Sequence, residues 1–154
     1  MPNWCRNRVN VYSENATDIK KIKAIFESKT GAFNEIIPSP DWDNTPNEDG
    51  ELPVKKEHKR PDGTVSFVTT EFPSGKQDAR WYDWNLANWD TKWDVFPDGI
   101  EIDYDDAYGD ELEIEFQTAW SPPEAVCRAL RDQFPNVDIS WFYDEPGMEV
   151  AGYL

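Results

Sequence analysis

Ile100-Glu101-Ile102-Asp103-Tyr104-Asp105 and, five residues later, Glu111-Leu112-Glu113-Ile114-Glu115-Phe116 decide the fold of this chain. Both stretches alternate with the period of two that places successive side chains on opposite faces of a strand. Every apolar side chain falls on one face and every acid on the other. If residues 106–110 form the connection, a symmetric register sets Asp105 against Glu111, Asp103 against Glu113 and Glu101 against Glu115. Like charges directly opposed are unfavourable, so stability alone would place lysines on one strand. Six carboxylates over about 14 Å give one charge per ~2.3 Å, against one per ~1.7 Å of axis in duplex DNA. Two readings fit such a face. It is a solvated surface that keeps the domain soluble, or it is a surface for a basic partner, in the extreme a nucleic-acid mimic.

Working outward, residues 3–12 alternate as a strand, with Trp4, Val9 and Val11 as expected buried positions. Ser13 or Asn15 can cap a helix over about 16–28, where Ile19, Ile22, Ile25 and Phe26 recur at helical spacing. Phe33-Asn34-Glu35-Ile36-Ile37 reads as a short extended segment ended by Pro38. Residues 54–60 and 64–70 form a hairpin across Pro61-Asp62-Gly63, and 38–76 as a whole reads as an inserted excursion. A second helix is expected over about 78–89, then a strand near 92–96. Ser121-Pro122-Pro123-Glu124 carries a helix start with a Ser cap and a capping box. That helix runs to Phe134, and Val137–Tyr143 forms a last strand. Strands and helices interleaved around an antiparallel sheet predict an α+β fold of ferredoxin-like type, with helices on one face of the sheet.

The 154 residues fit one domain, and eight Trp with eight Phe supply a core. The charge of −16 is unevenly placed, with a net −1 over residues 1–80 and −15 over 81–154. Such a half repels phosphate backbones and attracts basic proteins, which argues against direct nucleic-acid binding through it. No stretch reaches the ~18–20 apolar residues of a membrane span. The start has no apolar leader, so the expectation is a cytoplasmic protein. Cys5 and Cys127 form neither a disulfide framework nor a metal-ligand spacing, and both read as buried small residues, the weaker alternative being a secreted protein with one Cys5–Cys127 bridge.

Met1-Pro2-Asn3-Trp4-Cys5-Arg6-Asn7-Arg8-Val9, Phe33-Asn34-Glu35-Ile36-Ile37-Pro38, Trp81-Tyr82-Asp83-Trp84 with Asn88-Trp89-Asp90-Thr91-Lys92-Trp93, Thr118-Ala119-Trp120-Ser121-Pro122-Pro123, and Tyr143-Asp144-Glu145-Pro146-Gly147-Met148 occur in consistent order. Together they resemble the YubB-type ferredoxin-like family of phage- and plasmid-encoded proteins. Asp90 stands where that resemblance leads one to expect glycine. The resemblance implies the fold and a mobile-element origin, and no common activity.

Catalysis has little support. The single histidine, His58, lies in a charged hairpin, and the acids of 103–111 miss the spacing of a calcium loop. No cofactor or metal is expected, although abundant acids leave a carboxylate-pair enzyme as one alternative. The aromatic block Trp81–Trp93 spans a wider arc than one helix face buries. Trp81, Trp84 and Trp89 are therefore either core, anchors for a partner, or stacking platforms for a sugar or small ligand. The expected role is a non-enzymatic accessory protein of a phage or plasmid that binds a basic host protein. Glu101, Asp103, Asp105, Glu111, Glu113 and Glu115 supply the charge, and Trp81, Trp84 and Trp89 the anchors.

Overall fold

The computed structural model describes residues 1–154. The chain divides into two compact units: residues 1–38 with 85–154, and residues 39–84.

In the first unit, β1 (Trp4–Tyr12) alternates as its sequence dictates. Cys5, Asn7, Val9 and Val11 are buried, while Trp4, Arg6, Arg8, Asn10 and Tyr12 face solvent. Trp4 therefore lies on the opposite face from Val9 and Val11, contrary to expectation. Its even number already excludes it from the odd-numbered set in an unbulged strand. In α1 (Ala16–Phe26), Asn15 Oδ1 accepts from the Thr17 N–H at 3.0 Å, and Ile19, Ile22 and Phe26 are buried.

Residues Ala32–Ile36 form a helical turn, α2, rather than the expected strand. The cause lies far away in sequence. Asp94 Oδ1 accepts from Phe33 N at 2.7 Å, and Oδ2 accepts from Asn34 N at 2.9 Å. A remote carboxylate thus satisfies the N-terminal donors that a helix this short leaves open. Gly31, at φ 103°, has no Cβ to collide with that carboxylate. The segment around Asp94 is correspondingly irregular, so the expected strand near 92–96 does not form.

The second unit holds the hairpin β2 (Val54–Lys59) and β3 (Val65–Glu71). Arg80 ties its loop together, gripping Asp78 at 2.9 and 3.0 Å and donating to the carbonyls of Trp42, Thr45 and Pro46. The guanidinium holds the Asp78 carboxyl below its usual range. Helix α3 (Arg80–Trp89) carries the chain back into the first unit.

There follow β4 (Glu101–Tyr104), β5 (Glu111–Ala119), α4 (Glu124–Gln133), β6 (Asp138–Glu145) and β7 (Val150–Tyr153). Their sheet runs β4-β5-β1-β6-β7, and every neighbouring pair is antiparallel. One face carries the core. Phe116 stacks on Phe26 at 5.8 Å and meets Phe33 and Trp141 edge-on at 5.9 and 5.7 Å. Buried Asn7 donates to Thr118 Oγ1 and accepts from the Trp141 indole, so its amide is satisfied within the core. Cys5 and Cys127 are free and buried, and burial pushes both thiols up.

The cap of α4 also differs from the sequence reading. Pro123 is its N-cap residue, with no side-chain cap of its own. Asp90 supplies the bond instead, its Oδ2 accepting from Ala125 N at 2.9 Å, while Ser121 Oγ donates to the Asp90 carbonyl. Asp90 sits at φ 63°, in the left-handed region where glycine is favoured and Asp is tolerated. That accounts for an aspartate at a position where glycine was expected.

Candidate functional site

With the core on one face, the opposite face of the sheet is open. β4 and β5 pair with Glu101 opposite Glu115 and Asp103 opposite Glu113, the register the alternation predicts. Asp105 departs from it. β4 ends at Tyr104, and Asp105 instead turns the chain, its Oδ1 accepting from Ala107 N at 2.8 Å. Glu111 thus has no acid opposite it on the β4 side, and on its other side it faces Tyr12 of β1.

The other neighbour of β5 changes the electrostatics. β1 sets Arg8 beside Glu115, Asn10 beside Glu113 and Arg6 beside Gln117. Arg8 Nε lies 2.9 Å from Glu115 and 3.8 Å from Glu113, with all three side chains about half exposed. Five ladder carboxylates less this arginine leave four net charges over about 14 Å, one per ~3.4 Å. That is the density of one strand of DNA rather than of the duplex.

The face has two distinct ends. At the Tyr12 end, Asp103, Asp105, Asp110, Glu111, Glu113 and Asp138 line an open groove of ≈ 930 Å³ with Tyr12 and Tyr108. At the Trp4 end, a cleft of ≈ 630 Å³ is lined by Trp4, Trp93, Phe96 and Phe142 together with Arg6, Arg8, Gln117 and four exposed or half-exposed acids. Trp4 and Trp93 are ring neighbours at 6.3 Å, and Lys92 Nζ lies 4.2 Å over the Trp93 ring. Arg6 reaches no carboxylate within ion-pair distance. Asp94 stands in the wall, its carboxyl raised by burial against the opposing pull of the Phe33, Asn34 and Val95 N–H groups.

The tryptophans of the aromatic block separate. Trp89 is 4% exposed, donates its indole N–H to the Ile37 carbonyl at 3.0 Å and meets Phe33 edge-on. It is a core residue and cannot reach a partner. Trp81 and Trp84 are half-buried in the second unit, Trp81 edge-on to Tyr82. The exposed indoles are Trp4, Trp93 and Trp120, at 43%, 38% and 51%. The signal for Trp4 was present as its even-numbered run with Arg6 and Arg8. Trp93 and Phe96 carried none, because an irregular loop has no period to read.

His58 stacks on Phe67 at 4.3 Å and pairs with Thr69 Oγ1 at 2.9 Å within the hairpin. Lys55 and Lys56 each reach an acid at 3.6 Å, Asp43 and Glu71 respectively.

In β1-α1-β4-β5-α4-β6, two βαβ halves interlock, and the spatial order β4-β5-β1-β6 makes this a ferredoxin-like α+β fold. Comparison with known families agrees: residues 88–154 match the family model described as a ferredoxin-like domain in Api92-like protein. The crystal structure of a protein api92 from Yersinia pseudotuberculosis is similar over 99% of this chain and 93% of that one. The TM-score is 0.59 at 9% sequence identity, a likeness of fold. No curated protein matches the chain. No helix is long and apolar enough to cross a membrane.

Proposed function

We propose that this chain is a non-enzymatic binding protein whose acidic groove, at the Tyr12 end of the open sheet face, docks a basic segment of a protein partner. The observation that carries this is the register. Glu101 against Glu115 and Asp103 against Glu113 place like charges directly opposite on an exposed face. Such an arrangement works against the sheet's own stability. Asp105, Asp110 and Asp138 then converge on the same groove from a turn and from another strand. A groove of this kind attracts a Lys/Arg-rich segment and accelerates its encounter at low salt. The biological setting that accompanies this reading is an accessory protein of a phage or plasmid acting on a basic host factor in the cytoplasm. Interference with a DNA-binding protein is its sharpest form, with the face standing in for a single strand's charge.

The experiment is binding of a fluorescent Lys/Arg-rich peptide, followed by anisotropy from 20 mM to 500 mM salt. Wild type is expected to bind at low salt, with affinity falling steeply as salt rises. The double variant Asp103→Lys/Glu113→Lys is expected to lose most of that binding. Equal affinity of the two proteins, or binding indifferent to salt, would sink the reading.

A further inference from the structure

The acidic groove ends where the aromatic cleft begins, and both lie along β1. Arg8 stands between them, bonded to Glu115 and within 3.8 Å of Glu113. From Asn10, at the edge of the groove nearest the cleft, to Trp4, in the cleft, is six residues, or about 20 Å of strand. Resting on the proposed docking of a basic segment, we infer that the Trp4–Trp93 cleft is the anchor pocket for a bulky apolar side chain of that same segment. The anchor lies about six positions along the segment from the basic residues.

Four observations support this occupant. Trp4, Trp93 and Phe96 are 43%, 38% and 46% exposed, a cluster of large rings that the chain's own packing leaves uncovered. Aromatic clusters in a concave site are where binding energy concentrates, and an anchor side chain there excludes water from several rings at once. The polar lining fits a cationic chain rather than an anionic one. Asp98, Glu101, Glu115 and Asp144 outnumber the cations Arg6, Arg8 and Lys92, the last lying over one face of Trp93. The length also fits, since an extended chain advances ~3.3–3.6 Å per residue, so six positions bridge the two ends. Arg6 lies between them without an acidic partner, and its N–H groups are free to donate to carbonyls of the bound chain. The residue passing Arg6 is therefore uncharged or acidic, because a cation there would meet its guanidinium.

Three labelled peptides test this on the full chain. Each begins Lys-Arg-Lys. One then carries a five-residue Gly/Ser spacer and a Leu, the second has Ala in place of that Leu, and the third has Leu directly after the basic residues. Wild type is expected to bind the spaced Leu peptide about tenfold tighter than the other two, the factor that burial of one aliphatic side chain provides. Trp93→Ala is expected to bring that ratio close to one. Gln117→Trp is expected to do the same by filling the cleft from an exposed position, which guards against misfolding of the first variant. Asp103→Lys weakens all three peptides together. Equal affinity for the spaced Leu and Ala peptides overturns the anchor, as does a ratio that survives both cleft variants. Equal affinity for the two Leu peptides overturns its placement. Failure of every peptide to bind wild type removes the basic-segment reading and this inference with it.

Discussion

Asp103→Lys is expected to stabilise the protein while impairing its binding of basic segments. Asp103 and Glu113 are directly opposed on an exposed face. Cross-strand neighbours stand ~5 Å apart, where two like charges in water repel by about 0.8 kcal/mol. Substituting Lys removes that repulsion and adds an attraction of similar size. Screening at physiological salt and the entropy of fixing two surface side chains cut the swing to about 0.5–1 kcal/mol. For a chain of this length that is a rise of roughly 1–4 °C in Tm. Glu101→Lys is the internal control. Its partner Glu115 is already hydrogen-bonded to Arg8 at 2.9 Å, so less repulsion remains to be relieved and the gain is smaller. Calorimetry at 20 mM, 150 mM and 1 M salt reads both variants. Stabilisation should be ordered Asp103→Lys above Glu101→Lys and should fade by 1 M, where the Debye length is ~3 Å. A fall in Tm for Asp103→Lys, the reverse order, or a gain that persists at 1 M would refute the electrostatic account of this face.

Asp94 gives a pH dependence of known sign. Its folded-state pKa is raised, so its contribution is fully present below the unfolded carboxyl pKa and is lost as pH rises through the folded value. In urea denaturation, the stability of wild type relative to Asp94→Asn should therefore decline above about pH 4, the ordinary Asp value, and a difference that grows with pH contradicts the assignment. Trp89→Ala should cost about 3–5 kcal/mol as a core cavity with a stranded Ile37 carbonyl, whereas Trp93→Ala, at an exposed ring, should cost less than about 1.5 kcal/mol. Denaturant midpoints distinguish the two, and equal losses would show that burial does not separate them.

What was legible in the sequence was whatever a local period records. The alternation of Glu101–Asp105 and Glu111–Phe116 gave two strands and the pairing of Glu101 with Glu115 and Asp103 with Glu113, and Ile19, Ile22 and Phe26 gave a helix. Three misreadings share one cause, a partner distant in sequence. Phe33–Ile37 is apolar enough to read as a strand, but Asp94, 60 positions away, caps it into a helix. Ser121 has the sequence of a cap, yet Asp90 holds the α4 donor from 35 positions away. The charge of β5 likewise depends on Arg8, 107 positions removed. The acidic strip was thus visible, while its partial neutralisation and the aromatic cleft beside it were not. Both require knowing that β1, rather than another strand, lies next to β5.

The unit spanning Ser39–Trp84 is entered just after Ile37, and Trp89, soon after the chain returns, is bonded to the Ile37 carbonyl. This bears on folding and on tolerance to change. Asn7 and Thr118 join β1 to β5 across 111 positions, a separation that would be roughly 65 without the inserted residues. Loop closure grows only with the logarithm of length, so the insertion adds about 0.5 kcal/mol to forming the central strand pair. A point of entry and exit clipped together in this way lets the inserted segment lengthen, shorten or be exchanged while the sheet and its open face are assembled almost unchanged.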